Sequence, residues 1–109
     1  MRVFVAELNG EVLGFASVNF RASEGAAELC TLYVLKAHHG QKIGKKLWET
    51  VLEFLETQNL KKLVLWVLEN NPTRGFYEHL GGTSLDRKLE TIQDAQIVEV
   101  QYLFELRNS

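Results

Sequence analysis

Hydrophobic and polar positions alternate through much of the first twenty residues, as in two neighbouring β-strands. Residues 3–8 and 11–20 are rich in β-forming side chains. The Asn9-Gly10 pair between them tolerates the positive φ angles that a tight turn requires. The pattern therefore predicts that the chain opens with a β-hairpin.

The middle of the chain has two continuous apolar runs separated by a segment with helical periodicity. Residues 27–35 are apolar at nearly every position after Glu28, and residues 61–69 form a second such run. Runs of this kind indicate strands that are covered on both faces. Between them, residues 41–58 are predicted to form a helix, because apolar side chains recur there at spacings of three and four. These side chains are Ile43, Leu47, Val51, Phe54 and Leu55. A strand, a helix and a strand at this spacing predict a parallel βαβ unit.

A second, shorter helix is predicted after the second apolar run. Asn71 is placed to cap it, Pro72 fits its first position, and Gly81-Gly82 end it. Residues 83–91 and 97–106 then read as a closing pair of strands. The expected fold is one α/β or α+β domain over residues 1–109, with a mixed, mostly antiparallel sheet around the parallel unit.

Composition and charge exclude several classes of protein. The chain has 109 residues, is 46% hydrophobic and carries a net charge of −2, whereas a general nucleic-acid binder is usually basic. No apolar run approaches the ~20 residues of a membrane span. The single cysteine, Cys30, has no partner for a disulfide or a zinc site, and the histidines are not spaced for a metal. We therefore expect a cytoplasmic protein that binds no metal, nucleic acid or membrane.

The stretch HHGQKIGKKLW, residues 38–48, combines glycines and lysines at the predicted start of the first helix. A helix start has unpaired N–H groups and the positive end of the helix dipole, which favour an anion. Gly40 and Gly44 would let a ligand approach the backbone, and Lys42, Lys45 and Lys46 add positive charge. The pattern by itself fits a phosphate cradle or a plain strand-to-helix turn equally well.

Two motifs, taken together, carry a resemblance to a known family. The first comprises His39, Gly40, Gln41, Lys42, Ile43 and Gly44, and the second comprises Asn70, Thr73, Phe76, Tyr77 and Gly81. In order and spacing, and over nearly the whole chain, they resemble the GNAT family of N-acetyltransferases. His39 stands where that family usually has arginine or glutamine, and Lys42 stands where it has its first consensus glycine.

The resemblance implies an acyl-CoA N-acyltransferase-like fold and transfer of an acetyl group from acetyl-CoA to a primary amine by direct attack. It implies that the diphosphate lies on the first motif, including Lys45. The pantetheine arm would pair with the main chain of Leu32, Tyr33 and Val34. Tyr77 would contact the cofactor and act as the general acid, and Asn70 would orient the cofactor or a water molecule. Glu28 is the candidate general base. For each of these residues the alternative is an ordinary structural role in a strand, a helix or a cap.

The family's pattern begins with a strand and one or two helices before the hairpin that opens this chain. We therefore expect an N-terminally truncated form with an unpaired outer edge on its first strand, and such edges favour association. The predicted partners are acetyl-CoA, an amine of a small molecule or protein N-terminus, and a second copy in a homodimer. The alternative function is a non-catalytic acyl-CoA-binding or structural subunit.

Overall fold

Two tight turns with positive φ angles build the hairpins near the two ends of the chain. Asn9 (φ 53°) and Gly10 (φ 82°) form the first turn, and Gln93 (φ 47°) and Asp94 (φ 66°) form the last one. Positive φ at both central residues matches the twist of the flanking strands. Both predicted hairpins are confirmed in the computed structural model, which describes residues 1–21, 25–35 and 42–107.

Within the described ranges, six strands form one sheet and two helices accompany it. The elements are β1 (Arg2–Leu8), β2 (Glu11–Arg21), β3 (Ala26–Val34), α1 (Ile43–Thr57), β4 (Lys62–Leu68), α2 (Arg74–His79), β5 (Thr83–Ile92) and β6 (Ala95–Glu105). The strand order is β1-β2-β3-β4-β6-β5. Only β3 and β4 pair in parallel, and the other neighbours are antiparallel. The predicted mixed sheet around a βαβ unit is therefore confirmed.

The core lies between one face of the sheet and the helices. The apolar stripe of α1 buries Leu47, Trp48, Val51 and Leu55. Each such burial stabilises the fold by about 1.5–3 kcal/mol. The edge of the Trp48 ring meets Phe104 of β6 at a centroid distance of 4.5 Å. The helical spacing read from the sequence thus places α1 over the centre of the sheet.

The expectation that β3 and β4 are covered on both faces is wrong for the part of the chain that the structure describes. Ala27 and Leu29 of β3 are buried, whereas Glu28 and Cys30 are exposed. The interior positions of β4 alternate between buried and half-buried side chains. The reason is that α1 and α2 both pack on one face, since Trp48 of α1 also contacts Tyr77 of α2. We call the opposite side the open face.

The start of α2 also differs from the prediction. Asn71 stabilises the turn that leads into the helix: its Oδ1 accepts hydrogen bonds from the Thr73 N–H (2.9 Å) and the Thr73 hydroxyl (2.8 Å). The N-cap residue itself is Thr73 and not the predicted Asn71. The helix begins at Arg74, so Pro72 lies in the preceding turn and not at the first helical position. The turn precedes the helix because the Arg74 N–H bonds to the Asn71 carbonyl only three residues back.

Candidate functional site

The parallel strands β3 and β4 part soon after they meet. Their ladder comprises only the pairs Ala26–Lys62, Ala27–Leu63 and Glu28–Val64. On its other side, β3 has an extra residue at position 30, between the residues that pair with consecutive positions of β2. Such a bulge bends its strand. Residues 29–33 and 65–68 therefore face each other without pairing, and we call the space between them the wedge.

The wedge has the chemistry to hold an extended ligand that contains amides. No strand occupies it in the described chain, so the facing backbone edges of β3 and β4 have no ladder partner there. Backbone edges of this kind bind extended chains by adding them as a strand. Leu32, Tyr33 and Val34 form the end of β3 beside the wedge. The Leu32 side chain packs against the core, and the Tyr33 ring is about half exposed on the open face.

The start of α1 presents backbone N–H groups without a side-chain cap. Lys42 is the N-cap residue, makes no capping hydrogen bond through its side chain, and no acidic residue lies in the first turn. Its backbone is left-handed, with φ 62° and ψ 20°. Glycine adopts this conformation at the least cost. The lysine thus keeps the backbone shape expected of the glycine that it replaces.

The structure brings the two sequence motifs together. A Cβ added to Gly44 would lie 3.7 Å from Val34 Cγ2 and 3.8 Å from Phe76 Cζ. The first turn of α1 therefore lies between the end of β3 and α2. Of the other predicted diphosphate residues, Ile43 is half-buried and Lys45 is exposed. His39, Gly40 and Gln41 lie outside the described residues.

Tyr77 lies in an aromatic cluster on the covered face of the sheet. Its ring centroid is 5.4 Å from Phe76, 6.1 Å from Trp48 and 6.5 Å from both Tyr102 and Phe104. Burial raises the pKa of its phenol above the ordinary value, because a low-dielectric surrounding disfavours the anion. Tyr77 is therefore protonated at neutral pH. Its hydroxyl makes no hydrogen bond to another of the described residues.

Glu28 and Tyr77 lie near the same stretch of β4 but on opposite faces. Glu28 pairs with Val64 and is exposed on the open face, at the last pair before the wedge opens. Tyr77 contacts Tyr102 and Phe104, which pair with the residues on either side of Val64. The two candidate proton-transfer groups thus flank the closed end of the wedge.

Asn70 lies two residues after the end of β4 and is exposed. It makes no hydrogen bond to the described residues, whereas the side chain of its neighbour Asn71 accepts two hydrogen bonds from Thr73. The structure therefore separates the two asparagines, which the sequence left in competition for the capping role. Asn70 is the one whose amide remains available at the open end of the strand.

One group of polar residues beside Tyr77 was not predicted from the sequence. The Tyr102 hydroxyl accepts a hydrogen bond from Arg74 Nε (3.0 Å) and donates one to Glu78 Oε2 (2.7 Å). Arg74 Nη1 also donates to the Glu69 carbonyl at 3.0 Å. No motif spacing could have revealed this group, because Tyr102 of β6 lies 24 residues beyond Glu78 of α2 in the chain.

The described part of the chain contains neither a candidate metal site nor a helix that could span a membrane. No cluster of three or more histidine, cysteine, aspartate or glutamate residues there could hold a metal ion. Neither α1 nor α2, the helices within those ranges, is long and apolar enough to span a bilayer.

Comparison with known proteins identifies the family. The sequence profile of the acetyltransferase (GNAT) family matches residues 1–82. A mycothiol acetyltransferase of Streptomyces avermitilis is 37% identical over 79 residues, which cover 72% of this chain and 26% of that relative. An uncharacterized N-acetyltransferase of Archaeoglobus fulgidus is 36% identical over 81 residues, which cover 69% of this chain and 55% of that protein. The chain therefore spans only a quarter to about half of these relatives.

Solved structures share the fold. A ribosomal-protein-alanine N-acetyltransferase from Brucella melitensis superposes with a TM-score of 0.82 at 21% identity, covering 95% of this chain and 68% of the other. A candidate streptothricin acetyltransferase from Bacillus anthracis str. Ames, solved in complex with acetyl coenzyme A, gives 0.86 at 17% identity, covering 95% and 61%. With the family profile matching three quarters of its residues, the chain belongs to the acetyltransferase (GNAT) family.

Proposed function

We propose that this protein is an acetyl-CoA-dependent N-acetyltransferase that transfers the acetyl group directly to a primary amine. The observation that carries the proposal is the wedge between β3 and β4, which has an uncapped helix start beside its open end and a buried, protonated tyrosine near its closed end. Membership of the family supports the same reaction.

The cofactor would bind along the wedge. The first-turn N–H groups of α1, together with Lys42 and Lys45, supply hydrogen bonds and positive charge for the diphosphate. The two amides of the pantetheine arm are proposed to pair with the main chain at the end of β3, at Leu32, Tyr33 and Val34. This arrangement directs the thioester towards the closed end, where Tyr77 and Glu28 lie on opposite faces. His39, Gly40 and Gln41 complete the proposed diphosphate loop, and Asn70 is proposed to orient the cofactor or a water molecule.

The amine must approach from the open face, because α1 and α2 cover the other one. Glu28 accepts a proton from the attacking nitrogen, directly or through water. As the new carbon–nitrogen bond forms and the carbon–sulfur bond breaks, the Tyr77 hydroxyl gives its proton to the departing thiolate. Each group then returns to its starting state by exchange with solvent. The acceptor is proposed to be the amine of a small molecule or of a protein N-terminus.

A homodimer and a cytoplasmic location complete the proposal, with residues 1–109 acting as one domain. β1 is the edge strand of the sheet, and its Val3 and Val5 are 52% and 53% exposed. Pairing of two β1 edges would satisfy their backbone groups. A monomer mass in sedimentation equilibrium across a wide concentration range would contradict the dimer. The exposed thiol of Cys30 suits a reducing compartment.

The experiment is calorimetric titration with acetyl-CoA, followed by turnover assays on a panel of amines. We expect saturable binding that weakens strongly when acetyl-CoA is replaced by free adenine nucleotides, which lack the pantetheine arm. Tyr77→Phe should lower turnover by about 10²–10⁴-fold, the range for a general acid, and leave binding intact. Glu28→Gln should lower turnover while its matched control, Glu11→Gln at an exposed strand start, should not.

Each alternative outcome has a distinct meaning. Binding without turnover on any amine would refute the enzyme and support a non-catalytic acyl-CoA-binding protein. The absence of binding at millimolar acetyl-CoA would support a structural subunit. Full turnover in Tyr77→Phe would remove Tyr77 as the acid while leaving the reaction itself in place.

A further inference from the structure

Helix α2, which carries Tyr77, is too short to hold its own position. It comprises six residues, Arg74–His79, and its N-cap residue Thr73 makes no side-chain capping bond. Isolated helices shorter than about 12–15 residues are marginal in water. The position of Tyr77 must therefore be set by contacts between α2 and the rest of the fold.

A single buried hydroxyl on β6 contacts both ends of this helix. Tyr102 has no exposed surface. Its hydroxyl accepts from Arg74, the first residue of α2, and donates to Glu78, the last but one. The hydrogen bond to Tyr102 is the main reason that the pKa of Arg74 lies above its ordinary value. Both partners are charged, and hydrogen bonds to charged groups are stronger than neutral ones.

The same tyrosine also touches the ring that it would position. Tyr77 precedes Glu78 in the chain, and its ring centroid lies 6.5 Å from that of Tyr102. The Tyr77 ring also contacts Trp48 and Phe104. These apolar contacts allow small sliding motions, whereas the directional bonds of Arg74 and Glu78 to one oxygen atom fix the helix along its axis.

We propose that Tyr102 is a positioning residue for the reaction: through Arg74 and Glu78 it holds α2 so that the Tyr77 hydroxyl reaches the departing sulfur. The inference rests on the proposed function, and specifically on Tyr77 as the proton donor. A misplacement of about 1 Å at a reacting group can lower a rate about 100-fold. Loss of one buried hydroxyl should therefore reduce proton transfer much more than it reduces cofactor binding.

The test is Tyr102→Phe, which keeps the ring in the core and removes only the oxygen. We expect kcat to fall roughly 10–100-fold, with the KM for acetyl-CoA nearly unchanged. In a Tyr77→Phe background the same change should have little further effect on kcat, since no donor remains to be misplaced. Glu78→Gln keeps an oxygen acceptor and should retain most of the rate, whereas Glu78→Leu should behave like Tyr102→Phe. Ser84→Ala is the control, because it removes an exposed hydroxyl from the strand position paired with Tyr102.

Amide hydrogen exchange provides a readout that does not need turnover. The Tyr77 N–H bonds to the Thr73 carbonyl and the Leu80 N–H to the Phe76 carbonyl. Both amides should exchange faster in Tyr102→Phe than in the Ser84→Ala control. Equal loss of kcat with and without the Tyr77 hydroxyl would overturn the inference, because the effect would then be a general loss of structure.

Failure of the proposed function would look different. If the unmodified chain binds acetyl-CoA but turns over no amine, the proposed enzyme is refuted, and with it the role of Tyr102 in catalysis. Unchanged exchange at Tyr77 and Leu80 in Tyr102→Phe, in a chain that does turn over, would overturn the positioning role alone. Faster exchange combined with the selective loss of kcat supports it.

Discussion

Replacing Gly14 with alanine should destabilise the protein through one close backbone contact. Gly14 pairs with Val34 across the β2–β3 ladder. A Cβ built on it would lie 2.5 Å from the Tyr33 carbonyl oxygen, 3.2 Å from Val34 Cα and 3.4 Å from Leu47 Cδ1. Carbon–oxygen contacts are normally about 3.3 Å or longer. The end of β3 would therefore have to move by roughly 0.8 Å.

The magnitude follows from two opposing effects. Overpacking of this kind costs about 1–3 kcal/mol. Gly→Ala also restricts the unfolded chain, which restores about 0.4–1 kcal/mol. We expect a net loss of about 1–2 kcal/mol in the free energy of unfolding, which corresponds to roughly 5–10 °C in Tm for a domain of this size. Cofactor affinity should fall as well, because the displaced residues border the wedge.

Urea unfolding followed by tryptophan fluorescence measures this loss, since Trp48 and Trp66 lie in α1 and β4. The matched control is Gly75→Ala in α2, where an added Cβ meets nothing within 4 Å. That variant should be as stable as the unmodified protein or up to about 1 kcal/mol more stable. If Gly14→Ala proved as stable as Gly75→Ala, the close contact would not limit this site and the reasoning would be refuted.

Two further predictions concern the backbone of Lys42 and the phenol of Tyr77. Lys42→Gly should raise the free energy of unfolding by at most about 1 kcal/mol, because glycine relieves the left-handed backbone but also makes the unfolded chain more flexible. Lys42→Val should lower it, since a β-branched side chain resists positive φ. Equal stabilities of the two variants in thermal unfolding would contradict this prediction. The folded-state pKa of Tyr77 lies above 10.0, so the unfolded chain loses the phenol proton at a lower pH than the folded chain does. The stability that this difference contributes is present below about pH 10 and is lost as the pH rises further. Tyr77→Phe should show a smaller decline in alkaline urea titrations, and identical slopes would rule out the shift.

Local sequence was sufficient for the helices and strands. The Asn9-Gly10 turn, the apolar stripe of α1 and the strand runs each carry a short-range signal, because turn geometry and helical periodicity depend on neighbours a few residues apart. Lys42 shows where residue identity is insufficient: the lysine differs from the glycine of the family consensus, but its backbone keeps the left-handed conformation that glycine favours.

The sequence-based predictions were wrong where the structure depends on contacts between elements or on a side chain that stabilises a turn. The continuous apolar runs of β3 and β4 have no alternating pattern that would show whether one or both faces of the sheet are covered. In the structure, α1 and α2 both pack on the same face. Pro72 is suited to the first position of a helix, but the helix begins at Arg74 because the Asn71 side chain stabilises a turn ahead of it. In each case a tertiary or side-chain contact outweighed the local preference.

The sequence by itself determined the strands, the helices, their order and the two motifs. Only the tertiary structure decided that the motifs meet, with Gly44 against Val34 and Phe76, and that β3 and β4 part after three pairs. Only the tertiary structure joined Tyr102 to α2. The physical reason is that periodicity and turn chemistry act over a few residues, whereas strand divergence, the choice of covered face and a hydroxyl shared between distant elements arise only when the chain is packed.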